Sequence, residues 1–169
     1  GEANRGLEYM FIMMNSARLS VGVQGIGLSE RAFQQAAAWA RTRVQGRPVV
    51  PAPAPGVATI IQHPDVRRML ATQKAYVEAC RSLAYSPANR LDRATFGNPD
   101  ESEYLLGLVE LMTPIVKSHG SDLGFELCCT ALQCFGGYGF TQEYPVEQFV
   151  RDSKINSIYE GANGIQAMD

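Results

Sequence analysis

The chain has 169 residues, 46% of them hydrophobic and 19% charged, which bounds it to one globular domain and excludes disordered and fibrous classes. Fifteen Lys and Arg against 17 Asp and Glu give a net charge of −2, so no overall field would draw it to nucleic acid or an anionic membrane. No apolar run reaches the roughly 20 residues of a membrane span, and Gly1-Glu2-Ala3-Asn4-Arg5 has no signal-peptide layout; a soluble, cytoplasmic protein is expected, and the absent initiator Met suggests a piece of a longer chain.

From residue 8 to about 44, apolar side chains recur at helical spacing (Met10, Met14, Ala17, Val21, Ile26, Leu28, Phe33), predicting one long helix or two abutting ones. Gly22, Gly25 and Gly27 would weaken that helix unless they admit the close approach of a partner or ligand. The proline-rich run at 48–56 is an extended connector, because Pro removes backbone donors and restrains the residue before it. Pro64-Asp65 opens a second helix expected to end between residues 85 and 91, and the polar stretch 92–103 with Gly97-Asn98-Pro99 reads as a loop. Leu105, Leu108, Met112, Val116, Leu127 and Phe135 carry a third helix, and Pro145 opens a short fourth one running to Ile158, with Gly161 and Gly164 breaking the chain beyond it. Alternating patterns are scarce, so the fold class is all-α, an up-down four-helix bundle.

The cysteines at 80, 128, 129 and 134 form no C-x-x-C pair and read as small buried hydrophobes; His63 and His119 stand alone, so no metal is expected. Two glycine-rich turns carry more information, Gln133-Cys134-Phe135-Gly136-Gly137-Tyr138-Gly139-Phe140 and Ile158-Tyr159-Glu160-Gly161-Ala162-Asn163-Gly164. Each either ends a helix or lets the backbone approach a flat or phosphorylated ligand. Glu160 before Gly161 is either a solvated carboxylate or a base that reaches a substrate.

These turns, together with Tyr144-Pro145-Val146-Glu147 and Arg151-Asp152, resemble in order and spacing the C-terminal helical domain of the acyl-CoA dehydrogenases. Met13-Met14-Asn15-Ser16-Ala17-Arg18, Arg43-Val44-Gln45-Gly46-Arg47-Pro48 and His63-Pro64-Asp65-Val66-Arg67-Arg68-Met69 extend the resemblance over nearly the whole chain. It is greatest to the branch containing 3-methylmercaptopropionyl-CoA dehydrogenases.

The resemblance implies α,β-desaturation of an acyl-CoA thioester, with Glu160 removing the α-proton and FAD accepting the β-hydrogen as hydride. It assigns Arg43, Gln45, Gln133, Gly136, Gly137 and Ala162 to the flavin, largely that of a neighbouring subunit, and Asn15, Arg18, Tyr159 and Gly161 to the substrate. Arg151-Asp152 is expected to be a structural ion pair. The implied partners are an electron-transfer flavoprotein and further copies of the chain, as a homodimer or homotetramer. The sequence departs from the family where an aromatic residue would follow Arg43 by three positions, here Gly46, and where Thr would follow Gly161, here Ala162. The family places a helical and a β-domain ahead of this one, so the isolated domain is expected to be colourless and inactive. An acyl-CoA oxidase and a noncatalytic self-association module are the competing readings.

Overall fold

The computed structural model describes residues 1–47 and 58–169, and the predicted proline-rich connector lies outside them. Three long helices dominate, α1 (Gly6–Thr42), α2 (Pro64–Phe96) and α3 (Pro99–Phe135), followed by the short α4 (Val146–Lys154) and the single-turn α5 (Asn163–Gln166). No strand occurs among the described residues; one isolated antiparallel bridge joins Val44 to Thr59.

Side-chain contacts give the directions. Arg81 on α2 pairs with Glu30 on α1, and Arg93 pairs with Glu101 across the α2–α3 turn, so α2 runs against both neighbours. Gly22 approaches Val116 while Gly25 approaches Gly120 further along, so α1 and α3 run parallel. Val146 joins the core near Phe135 while Lys154 lies over the Phe125 ring, so α4 descends against α3 and completes the up-down order.

The α1–α3 contact explains its composition. The buried face of α1 reads Arg18, Val21, Gly22, Gly25, Ser29, Ala32, Ala36 and Ala40, a spacing of three and four in which small residues predominate. A Cβ on Gly120 would lie 2.8 Å from the Gly22 carbonyl oxygen, and one on Gly124 would lie 2.8 Å from that of Gly25. The helices therefore meet backbone to backbone, which only glycine permits. Gly27 differs: nothing lies within 4 Å of its added Cβ, so it makes no close approach within the chain.

Three boundaries depart from the periodicity. α2 continues through Pro87 to Phe96, and the expected loop at 92–103 shrinks to Gly97 and Asn98. The last turn of α2 projects polar and exposed side chains, so the helix persists where its apolar stripe has stopped. Asn98 then caps α3 by accepting from the Asp100 amide at 3.2 Å, with Pro99 in the first turn. α3 runs unbroken through Pro114 and Gly120, and α4 ends at Lys154 before a 3-10 turn at Ile155–Ser157. The expected Arg151–Asp152 ion pair does not form among the described residues; Asp152 instead accepts from Gln148 at 3.3 Å one helical turn away.

Cys80, Cys128 and Cys134 are buried and all four cysteines are free thiols. Burial pushes Cys128 and Cys134 up to about 11. Near neutral pH both are protonated, and alkylation by a maleimide, followed by mass spectrometry, is expected to leave them unlabelled until the protein is unfolded.

Candidate functional site

The residues singled out in the sequence fall into two groups, one at the end of the bundle where α1 and α3 finish and one near the middle of α3, where Lys117 meets the Gly161 turn. Where α1 and α3 finish, Arg43, Gln45, Gln133, Gly136 and Gly137 line one open groove of about 490 Å³. Its floor is aromatic: Trp39 stacks on Phe135 at 4.8 Å, and Tyr138 and Tyr144 pack edge-on to one another at 5.6 Å. The Arg43 guanidinium lies over the Tyr138 ring at 4.6 Å and the Trp39 ring at 5.6 Å, held by cation–π attraction where the sequence lacks the expected aromatic residue at 46.

The chain around Arg43 is pinned on both sides. The Arg43 carbonyl accepts from the Ile60 amide at 2.8 Å, the Gln45 amide donates to Ala58 at 3.0 Å, and a ring nitrogen of His63 lies 2.7 Å from the Gln45 carbonyl. Gly136 turns the chain at φ +62°, with open space around both it and Gly137. The Trp39 indole nitrogen is buried and has no hydrogen-bond partner among the described residues. One guanidinium, two carboxamides and side-chain-free backbone edge a mainly apolar, aromatic-floored recess, and these are the groups that could hold a phosphorylated aromatic ligand.

The second group, alongside the middle of α3, holds Asn15, Arg18, Tyr159, Glu160, Gly161 and Ala162. Glu160 sits at φ +55° and Gly161 at φ +81°, two successive left-handed residues beyond the 3-10 turn. For a glutamate that conformation costs on the order of 1–2 kcal/mol, so surrounding contacts must impose it. The Tyr159 hydroxyl donates to Gln24 on α1 at 2.6 Å. The Ala162 carbonyl accepts from Ile165 at 2.8 Å and Gln166 at 3.2 Å, starting α5 without a side-chain cap.

Arg18, only 7% exposed, donates to Asp169 at 2.6 Å and to Asn15 at 3.3 Å. Asn15 and Arg18 border an open groove of about 760 Å³ between α1, α3 and the chain end.

One further side chain in this second group was not singled out from the sequence. Lys117 on α3 is fully buried, and its ammonium donates to the Gly161 carbonyl at 2.7 Å and to Asn163 Oδ1 at 2.9 Å. Burial pulls its pKa down and Arg18 adds to that, while Asp122 and Glu160 pull it back up. A lysine in mid-helix reads as a solvated charge. The signal that could have found it is its register: Thr113, Gly120, Ser121 and Gly124 share its face, and all are buried.

The family model described as acyl-CoA dehydrogenase, C-terminal domain, matches residues 4–169. This chain belongs to the acyl-CoA dehydrogenase family. It is 46% identical over 169 residues to the 3-methylmercaptopropionyl-CoA dehydrogenase of Ruegeria pomeroyi, covering all of this chain and 29% of that protein. It is 40% identical over 174 residues to the broad-specificity linear acyl-CoA dehydrogenase FadE5 of Mycobacterium tuberculosis, covering 28% of it. Among solved structures, the butyryl-CoA dehydrogenase of Megasphaera elsdenii superposes with a TM-score of 0.81 at 30% identity, over 99% of this chain and 38% of that one. The chain thus spans less than a third of the length of these two curated relatives. As an acyl-CoA dehydrogenase C-terminal domain it is all-helical, and no helix among the described residues is long and apolar enough to cross a membrane.

Proposed function

We propose that the chain is the C-terminal domain of a longer, FAD-dependent acyl-CoA dehydrogenase, with its N-terminal helical and central β-domains outside the sequence, and that Glu160 is its α-proton base. The observation that carries this reading is the placement of Glu160: a carboxylate held in a left-handed turn by contacts from α1 and α3, followed by Gly161, which lies against the Arg18 guanidinium.

An α-proton of a thioester is weakly acidic, so the base must be fixed against the scissile C–H bond. Glu160 accepts that proton on a carboxylate oxygen. Tyr159, tied to Gln24, and Gly161, tied to Lys117, hold the backbone on either side of it. Asn15 and Arg18 offer the polar contacts to the CoA portion, Arg18 exchanging part of its bonding to Asp169 for the ligand. When bound, FAD supplies the acceptor for the β-hydrogen.

At about 1.5 Å rise per residue, the stretch of α3 from Lys117, which bonds the Gly161 turn, to Gln133 separates the two groups by roughly 24 Å. One copy therefore cannot bring both to the same reacting centre. The reading that accommodates this is a homodimer, or homotetramer, in which Arg43, Gln45, Gln133, Gly136 and Gly137 of one subunit hold a flavin that serves the Glu160 of another. Ala162, beside Glu160, would meet the flavin of its own subunit. Leu7, Phe11, Ile12 and Met13 on α1 and Leu111 and Ile115 on α3 are exposed, consistent with faces covered by further domains or copies. The isolated chain is then colourless and inactive, the cellular site is cytoplasmic, and an electron-transfer flavoprotein removes the electrons.

The test is dehydrogenation of an acyl-CoA panel by the full-length protein with an artificial electron acceptor, run with and without oxygen. Acceptor-dependent formation of the 2-enoyl product is expected. Oxygen-dependent turnover would move the reading to an oxidase, and none with any acyl-CoA would move it to a noncatalytic module. For the flavin groove, Arg43→Ala is expected to weaken FAD retention about tenfold or more, since a hydrogen bond to a charged group contributes about 1.5–3 kcal/mol. Flavin absorbance of the gel-filtered protein measures it.

A further inference from the structure

We propose that Lys117 is a positioning residue for Glu160: from inside α3, its ammonium grips the carbonyl of Gly161 and the side chain of Asn163, and so sets the left-handed turn that aims the carboxylate. The inference rests on Glu160 being the base.

A lysine with no exposed surface is rare unless its charge is used. Here it makes no ion pair among the described residues; both of its hydrogen bonds go to one short turn, the segment that follows Glu160. The Gly161 carbonyl also accepts from Gln166 at 3.0 Å, so two donors from different elements fix that peptide plane. Asn163 is clamped in turn: it donates to the Ser118 carbonyl at 3.3 Å, to the Ser121 hydroxyl at 2.9 Å and to Asp122 at 2.8 Å. One turn of α3, residues 117–122, thereby holds the chain directly after the base from several sides.

The arrangement accounts for the conformation. Glu160 at φ +55° and Gly161 at φ +81° are anchored on their C-terminal side, because the two donors on the 161 carbonyl keep the peptide plane that follows Gly161 from turning. A neutral side chain of the same length would fill the space but donate nothing to that carbonyl. The ammonium also lies close enough to Glu160 for the carboxylate to favour its charged form, so the two groups share one electrostatic neighbourhood.

The experiment uses the full-length holoenzyme with Lys117→Met, with Asn163→Ala as a second variant should the first not fold. For a base displaced by about an ångström, kcat is expected to fall by roughly 10²-fold, with KM for acyl-CoA and FAD content within about twofold of wild type. Hydrogen exchange of the amides at 158–166 is expected to quicken at least about tenfold, with protection of α1 and α2 unchanged. A kcat and an exchange rate both at the wild-type level would overturn the inference, as would a general loss of protection across the helices, which would make Lys117 merely part of the core. A wild-type enzyme without dehydrogenase activity, or one indifferent to Glu160→Gln, would instead sink the assignment of the base, while the exchange measurement would still report whether the turn depends on Lys117.

Discussion

Glu160→Gln in the full-length protein is expected to lower kcat/KM for acyl-CoA by on the order of 10²–10⁴-fold while FAD stays bound, because a positioned general base contributes about that much. The substitution is close to isosteric. The turn should survive it, since the contacts that hold residues 159–163 run through the Tyr159 hydroxyl, the Gly161 carbonyl and the Asn163 side chain rather than through the Glu160 carboxylate. What the amide lacks is the ability to take up a proton from carbon. Steady-state rates with an artificial acceptor, together with the flavin spectrum, separate this from loss of cofactor. Undiminished activity would place the base on another residue.

The largest stability effect is expected at the crossing of α1 and α3. A Cβ on Gly25 would collide with the main chain of Gly120, including its carbonyl oxygen, and with the Ser121 Cα, none of which can rotate away. Gly25→Val should therefore destabilise by about 3 kcal/mol, lowering the melting temperature by roughly 5–10 °C, even though valine is the better helix former. Gly27→Ala, two positions along, is the control. With nothing within 4 Å of the new methyl, it should stabilise by about 0.5–1 kcal/mol through reduced backbone entropy alone. Equal losses at both positions in thermal unfolding would show that helix propensity, not the crossing, sets the cost.

Helix interiors were legible from apolar spacing because each long helix has one buried stripe, Val77, Cys80 and Ala84 on α2 being an instance. Helix ends were less so. Residues 92–96 are helical without being buried, so the end of α2 left no mark in the pattern. Of the six residues that the resemblance assigns to the flavin, the fold brings Arg43, Gln45, Gln133, Gly136 and Gly137 to one groove and places Ala162 apart from them, in the turn after Glu160. The resemblance could not indicate that these five residues and Glu160 stand about half a helix length apart, because distance along a helix axis follows from which helices run parallel, a tertiary fact. Lys117 was missed because residue type outweighed register: lysine is the side chain least expected on a buried stripe. Gly27 was misread beside Gly22 and Gly25 for the opposite reason, since composition does not say which glycines face the partner helix.

The glycine crossing also bears on how this domain can drift in sequence. Most packing positions evolve in pairs, one side chain enlarging as its neighbour shrinks. At this crossing, Gly120 and Gly124 each confront a neighbour's main chain rather than a removable side chain, so no second change can make room for a first. Positions 25, 120 and 124 should accordingly stay glycine among family members whose helices have diverged elsewhere, while Gly27 and Gly107, which confront nothing, should substitute freely. Lineages that do replace one of the former group would have to move the helix axes apart, and with them the spacing between the base turn and the groove it must serve in a neighbouring copy.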